Sequence, residues 1–307
     1  MSVQQETLRE ALTGISGILV TPFNDQDRIA PTLLEPIIDR AVKSGVHILT
    51  ANGNTSEFYG LTASEAETMV HAITEQVAGR IPVLAGVGRS IHEATDLARS
   101  SATAGAAALM IHQPPDPFSS PRGLLDYVKR VADAGGGLPV VLYLRNDTIG
   151  LHAIQELCAI PEVIGVKWAC PTPLQLQEAM EQCSPDLTWV CGLAEAWAPP
   201  LYAVGAKGFT SGLINVWPER SVEIHSALAS GDYAKAQTLI SGIRAFEAIR
   251  AEEQGGTNVT TVKAALRHLG LDCGHTRPPS AWPLSRAQQS ALESLMKAWP
   301  DEAKVFY

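Results

Sequence analysis

Short apolar runs and longer amphipathic stretches alternate along this chain. The runs are 15–23, 47–51, 82–87, 107–112, 139–144, 163–169, 187–193 and 208–214. They are β-rich, and turn residues bound them, so they read as buried strands. The stretches between them carry a helical period. Leu33, Leu34, Ile37, Ile38, Ala41 and Val42 share one helical face, as do Met69, Val70, Ile73 and Val77. Ala94, Leu97, Ala98 and Ser101 form a third such face, and Leu124, Leu125, Val128 and Val131 a fourth. Thr62-Ala63-Ser64-Glu65 and Ser90-Ile91-His92-Glu93 read as capping boxes at helix starts. Gly45, Gly105 and Gly135-Gly136-Gly137 stand where helices should stop.

Eight strands alternating with helices predict an α/β fold, a (β/α)8 TIM barrel. A doubly wound sheet would want a glycine-rich G-x-G-x-x-G turn after its first strand. The chain has Thr21-Pro22-Phe23-Asn24-Asp25 there instead. After Asn215 the pattern is helical only, over 221–230, 233–250, 260–269 and 286–298. The expected division is a catalytic barrel over 1–230 and a C-terminal helical extension of about three helices over 231–307.

The 307 residues are 46% hydrophobic and 18% charged, which is ordinary for a globular protein. A net charge of -9 argues against a nucleic-acid partner, which would want a basic face. No apolar run approaches the ~18–20 residues that span a bilayer. Residues 1–14 are polar and lack the order of a signal peptide, so a cytoplasmic location is expected. The five cysteines (158, 170, 183, 191 and 273) are scattered and form no CxxC, and read as reduced thiols.

In such a barrel the chemistry sits where strands end. His47 opens a strand, so it belongs at the other, structural face. Asn54, Thr55, Ser56 and Glu57 follow strand two, and His112 and Gln113 close and follow strand four. Tyr143 and Arg145 end strand five, and Lys167 ends the apolar run Val163-Ile164-Gly165-Val166. Glu195 follows strand seven, and Ser211 and Asn215 lie around strand eight.

A lysine is costly to bury, and a desolvated one becomes a neutral amine near pH 7. Such an amine attacks a ketone to form an iminium, and a neighbouring tyrosine can shuttle the protons. The Asn54/Thr55 loop offers donors to a carboxylate beside that ketone. The plainer readings are a strand-end charge for Lys167, turn and capping roles for the loop, and a surface charge for Arg145. His112 fits a hydrogen-bonded rim histidine, and Glu195 the partner of a nearby cation. Lys207 precedes strand eight and Lys263 lies on a C-terminal helix, so both are poorer nucleophile candidates. The chain shows no HxH or clustered metal-ligand set, and no glycine-rich phosphate cradle after strands seven or eight.

Taken together, these motifs resemble those of the dihydrodipicolinate synthase / N-acetylneuraminate lyase family of class I Schiff-base enzymes. Val20-Thr21-Pro22-Phe23 resembles the family's first-strand TPF, and Gly53-Asn54-Thr55-Ser56-Glu57 its G-T-T-G-E loop. Ala85-Gly86-Val87-Gly88 resembles its AGxG. Tyr143 matches the tyrosine of its Y-N motif, Gly165-Val166-Lys167 its G-x-K, and Val262-Lys263-Ala264-Ala265-Leu266 a C-terminal helix. The resemblance implies that Lys167 forms an imine with a 2-oxo acid and that Tyr143 relays protons. Asn54 and Thr55 would bind the substrate carboxylate, with Ser56, Arg145 and Ser211 completing the substrate-binding set and Glu57 steadying the loop. It implies no cofactor, and a homotetramer with the strand-four loop near a subunit interface.

The departures narrow the substrate. Asn54 replaces the loop's first threonine and Ser56 its last glycine; segment 114–118 has no second relay tyrosine, and Thr148 stands where the synthases carry an arginine. Glu57-Phe58-Tyr59-Gly60-Leu61, Tyr143-Leu144-Arg145-Asn146, Gly192-Leu193-Ala194-Glu195 and Thr210-Ser211-Gly212 are similar to stretches of the 5-dehydro-4-deoxyglucarate dehydratases. That branch would dehydrate and decarboxylate a sugar diacid, with Arg145 on the distal carboxylate. Leu144 and Trp168 replace polar residues of that branch and predict a bulkier, less polar pocket. The alternatives are a pyruvate-type aldolase or dihydrodipicolinate synthase, and a barrel that binds 2-oxo acids without turnover.

Overall fold

The computed structural model describes residues 3–304. Eight parallel strands close a barrel in chain order. They are β1 (Ile15–Ile18), β2 (Ile48–Ala51), β3 (Val83–Val87), β4 (Ala108–His112), β5 (Val140–Leu144), β6 (Val163–Trp168), β7 (Thr188–Cys191) and β8 (Gly208–Ser211). The predicted (β/α)8 architecture is therefore observed. The strands are shorter than the apolar runs, because several runs continue into loops that stay buried. Past β1, Leu19 still donates to the Thr50 carbonyl, but the Val20 N–H turns to the Asn215 side chain. Helix starts follow the sequence closely. Thr62 and Ser90 each cap a helix with both arms of the capping box in place, and Gly45 ends Glu35–Ser44 at φ +92°.

Strand alternation sorts the side chains into two apolar groups. One set faces the surrounding helices and forms the large outer core. The other fills the barrel: Ile48, Leu84, Ala108, Met110, Val141, Tyr143, Ile164 and Val190. Leu8 and Leu12 join this inner set from a helix the sequence pattern did not predict, Val3–Leu12. It touches β1, β6 and β7 and closes the N-terminal end of the barrel. Two buried leucines on an otherwise polar stretch are too sparse a signal for a helix. His47 stands at this same end, as expected, where its Nδ1 accepts from the Ile15 N–H at 3.1 Å.

After the barrel helix Pro218–Ala229 come Tyr233–Ser241, Arg244–Ala251, Asn258–His268 and Arg286–Ala298. The expected single helix over 233–250 is broken at Gly242 and Ile243, a weak helical position followed by a fresh start. Two buried cations tie the C-terminal helices to the barrel. Lys263 pairs with Glu57 at 2.7 Å, and Arg40 of helix Glu35–Ser44, which follows β1, reaches both Glu219 and the Ala303 carbonyl.

Candidate active site

The β5–β6 register sets Tyr143 directly opposite Lys167, and the β4–β5 register sets His112 opposite Tyr143. All three side chains lie at the C-terminal end of the barrel. The Lys167 amine stands 3.8 Å from the centre of the Tyr143 ring. It opens into a cavity of about 290 Å³ that is also lined by Asn54, Thr55 and Arg145. Burial, assisted by the positive charge of Arg145, lowers the Lys167 pKa from 10.5 to about 7. Burial pushes the Tyr143 phenol up to about 12, so it keeps its proton at neutral pH. The site thus pairs a part-neutral amine with a protonated phenol.

The loop after β2 supplies the next wall. The Asn54 amide donates to the Tyr143 hydroxyl at 2.9 Å. Thr55 lines the cavity, but Ser56 does not: its hydroxyl donates to the Leu19 carbonyl at 2.6 Å and accepts from the Gly53 N–H. Ser56, expected in the substrate-binding set, lies outside the cavity lining with its hydroxyl committed to closing the loop. Glu57 adopts a left-handed φ of +56° and turns its carboxylate away, to Lys263 and to the Arg277 N–H at 2.8 Å. The glutamate of this loop is therefore an anchor.

His112 is buried under Tyr143, with ring centres 5.1 Å apart, and stacks on Phe58 at 4.6 Å. Its Nε2 faces the Asn52 carbonyl at 2.9 Å. Burial and the Lys167 amine lower its pKa to about 3, so it is a neutral prop for the tyrosine. Gly86 is required here, since a Cβ would collide with the Asn52 carbonyl and crowd the imidazole. The Gln113 side chain accepts from the N–H groups of Arg145 and Asn146, both at 2.8 Å, and so shapes the turn that carries Arg145.

Strand alternation turns Ser211, Leu144 and Trp168 away from the barrel mouth where the sequence reading places them in the pocket. Thr210, and not Ser211, lines the cavity. Ser211 faces outward, fully buried, and donates to Glu195 at 2.5 Å. Glu195 also accepts from Ser221 at 2.7 Å, and no cation pairs with it among the described residues. Burial, then the nearby Glu247 charge, raises its pKa to about 7. Leu144 and Trp168, each one residue past an inward side chain, belong to the outer core, where Trp168 meets Trp189. They make the core bulkier and leave the pocket untouched.

Three lining residues come from the C-terminal helices and escaped the sequence reading: Glu247, Arg250 and Asn258. Their positions depend on how those helices dock, which no local motif encodes. Among the described residues no cluster of three or more His, Cys, Asp or Glu could hold a metal ion, and no helix is long and apolar enough to cross a membrane.

Known proteins are similar to this chain in sequence and fold. The profile of the Dihydrodipicolinate synthetase family matches residues 11–299. A 4-hydroxy-tetrahydrodipicolinate synthase of Maridesulfovibrio salexigens is 31% identical over 93% of this chain and 97% of its own. A probable 5-dehydro-4-deoxyglucarate dehydratase of Bradyrhizobium sp. is 29% identical over 98% and 96%. The crystal structure of dihydrodipicolinate synthase from Oceanobacillus iheyensis superposes with a TM-score of 0.91 at 34% identity, covering 96% of this chain and 99% of that one. With that coverage and the barrel described above, the chain belongs to the dihydrodipicolinate synthetase family of class I Schiff-base lyases.

Proposed function

We propose that this enzyme dehydrates and decarboxylates a non-phosphorylated 2-oxo sugar diacid of the 5-dehydro-4-deoxyglucarate type, through an imine on Lys167. The observation that carries the reading is the buried Lys167 amine, with its pKa near 7, set against the protonated Tyr143 phenol in one cavity. The neutral amine adds to the ketone, and Tyr143 delivers and retrieves the protons as the carbinolamine collapses. Asn54 and Thr55 hold the adjacent carboxylate. The iminium then acidifies the neighbouring carbon; loss of that proton drives out the next hydroxyl as water, carbon dioxide leaves, and hydrolysis frees Lys167.

Asn54 supports dehydration over condensation. Whichever way its amide is turned, it fixes the phenol but cannot pass a proton along, so the relay ends at Tyr143. A second reading, condensation by a synthase, draws on the 31% and 34% identities to proteins named as synthases. Borohydride trapping with pyruvate, read by intact mass, tests the imine: wild type should gain one adduct and Lys167→Ala none. Release of carbon dioxide from 5-dehydro-4-deoxyglucarate then favours the dehydratase, while pyruvate consumption with aspartate semialdehyde favours the synthase. The family resemblance further suggests four chains per assembly and a cytoplasmic setting. The strand-four loop, where Phe118 is 93% exposed, is the expected contact, and light scattering would measure the mass.

A further inference from the structure

Arg250 is a buried cation whose place in the cavity the imine chemistry does not use. Its side chain is 5% exposed, and a guanidinium is rarely buried without a purpose or a full set of partners. Its partners are incomplete. Nη1 pairs with Glu247 at 2.7 Å and Nη2 donates to Asn258 at 2.9 Å. Nε is buried with no hydrogen-bond partner among the described residues. Glu247 and Asn258 line the same cavity as Lys167.

The barrel makes room for this group. A Cβ on Gly212, just past β8, would lie 2.6 Å from Arg250 Nη2 and 3.1 Å from Thr55 Oγ1. The guanidinium and the Thr55 loop therefore face each other across that glycine. Arg145 stands differently: it is exposed at the end of β5, and it also borders the outer groove beside Gln113. A buried, preorganised fork binds a carboxylate more selectively than an exposed one.

We propose that Arg250, presented by helix Arg244–Ala251 with Glu247 and Asn258, selects 2-oxo acids that carry a second carboxylate at the far end of the chain. This rests on the Schiff-base reading and assigns the distal carboxylate to Arg250 in place of Arg145. Glu247 occupies the guanidinium when the site is empty and yields it, at least in part, to the incoming carboxylate. The C-terminal helices thereby become a selectivity wall, while the barrel strands carry the chemistry.

The test compares two six-carbon probes, 2-oxoadipate and 2-oxohexanoate, which differ only in the terminal carboxylate. Half-saturating concentrations for borohydride trapping are measured on the full-length enzyme. Wild type should favour 2-oxoadipate by about 10-fold or more, the scale of a charged hydrogen-bonded contact. Arg250→Gln should erase most of that preference, and Arg145→Gln should keep most of it. Equal half-saturation in wild type, or a preference lost with Arg145→Gln and kept with Arg250→Gln, would overturn the assignment. If Arg250→Gln does not fold, Glu247→Gln decides: releasing the guanidinium should enlarge the preference, and an unchanged or smaller one counts against the proposal. If no 2-oxo acid is trapped, pyruvate included, the imine reading fails separately. Calorimetric binding of the same two acids to wild type and Arg250→Gln then still decides the role of Arg250.

Discussion

Lys167 and Tyr143 are cross-strand partners on β6 and β5, and the amine lies 3.8 Å from the phenol ring centre. Their ionisations are pushed toward neutrality in both cases, the amine down to about 7 and the phenol up to about 12. Imine formation should therefore rise with pH through about 7 and level off above it, since only the neutral amine attacks. Arg145→Met removes a charge that depresses the lysine, so the rising limb should move to higher pH. Tyr143→Phe should slow trapping by roughly 10²- to 10⁴-fold, the usual worth of a positioned proton donor, with the limb in place. Initial trapping rates between pH 5 and 9 check all three outcomes.

The same depressed pKa predicts that the Lys167 amine costs stability. The folded amine binds fewer protons than the unfolded one between its folded pKa of about 7 and the ordinary value of 10.5. Stability therefore rises with pH across that window and is lowest, for this group, below it. Lys167→Met keeps most of the length of the side chain and removes the charge. It should stabilise the protein by about 2 to 4 kcal/mol at pH 6, and the gain should shrink steadily above pH 7. Denaturant unfolding of both proteins at pH 6, 8 and 9.5 measures it. An equal gain at all three would mean that packing, and not protonation, sets the difference.

The residues that were legible in advance are those whose position follows from one strand. Tyr143 and Lys167 are legible because each comes at the end of an apolar run, and the ladder then brings them together. The sequence points to Ser211 where the structure has Thr210, because neighbouring residues differ only in which face they take. A one-residue error in where β8 meets the barrel axis reverses that choice. Arg250 lay beyond reach for another reason: its approach to Gly212 joins segments far apart in sequence through helix docking. The helix Val3–Leu12 is too polar for its period to show in the sequence, since only Leu8 and Leu12 enter the barrel.

Trp168 offers a direct check on that alternation. It follows Lys167 yet faces the outer core, fully buried, with its Nε1 unpartnered among the described residues. Trp168→Phe removes that unpaired donor but leaves a gap beside Trp189, and the two effects oppose each other. The net change in stability should stay within about 2 kcal/mol. The relative half-saturation of pyruvate, 2-oxohexanoate and 2-oxoadipate in trapping should not move. A changed order among these acids would place the indole in the pocket and contradict the outward orientation.

The Glu57–Lys263 pair predicts a coupling between the C-terminal helices and the substrate loop. Both side chains are almost wholly buried, 2.7 Å apart, and Lys263 also donates to the His275 carbonyl at 2.6 Å. Removing one charge strands the other in the interior, so Glu57→Gln should destabilise by about 3 to 5 kcal/mol. Lys263→Met should cost less, because the Arg277 N–H still serves the Glu57 carboxylate. The double variant Glu57→Gln/Lys263→Met should be more stable than the sum of the single losses predicts, the mark of residues acting as one unit. Glu57 follows Asn54 and Thr55 within a single turn, so its release should also loosen the proposed hold of these two residues on the substrate carboxylate. In Glu57→Gln, at a temperature where it is still folded, the half-saturating pyruvate concentration for trapping should rise several-fold, while the pH of the rising limb, set at Lys167, stays near 7. A shifted limb with unchanged half-saturation would place the effect of the pair on the amine and not on the loop.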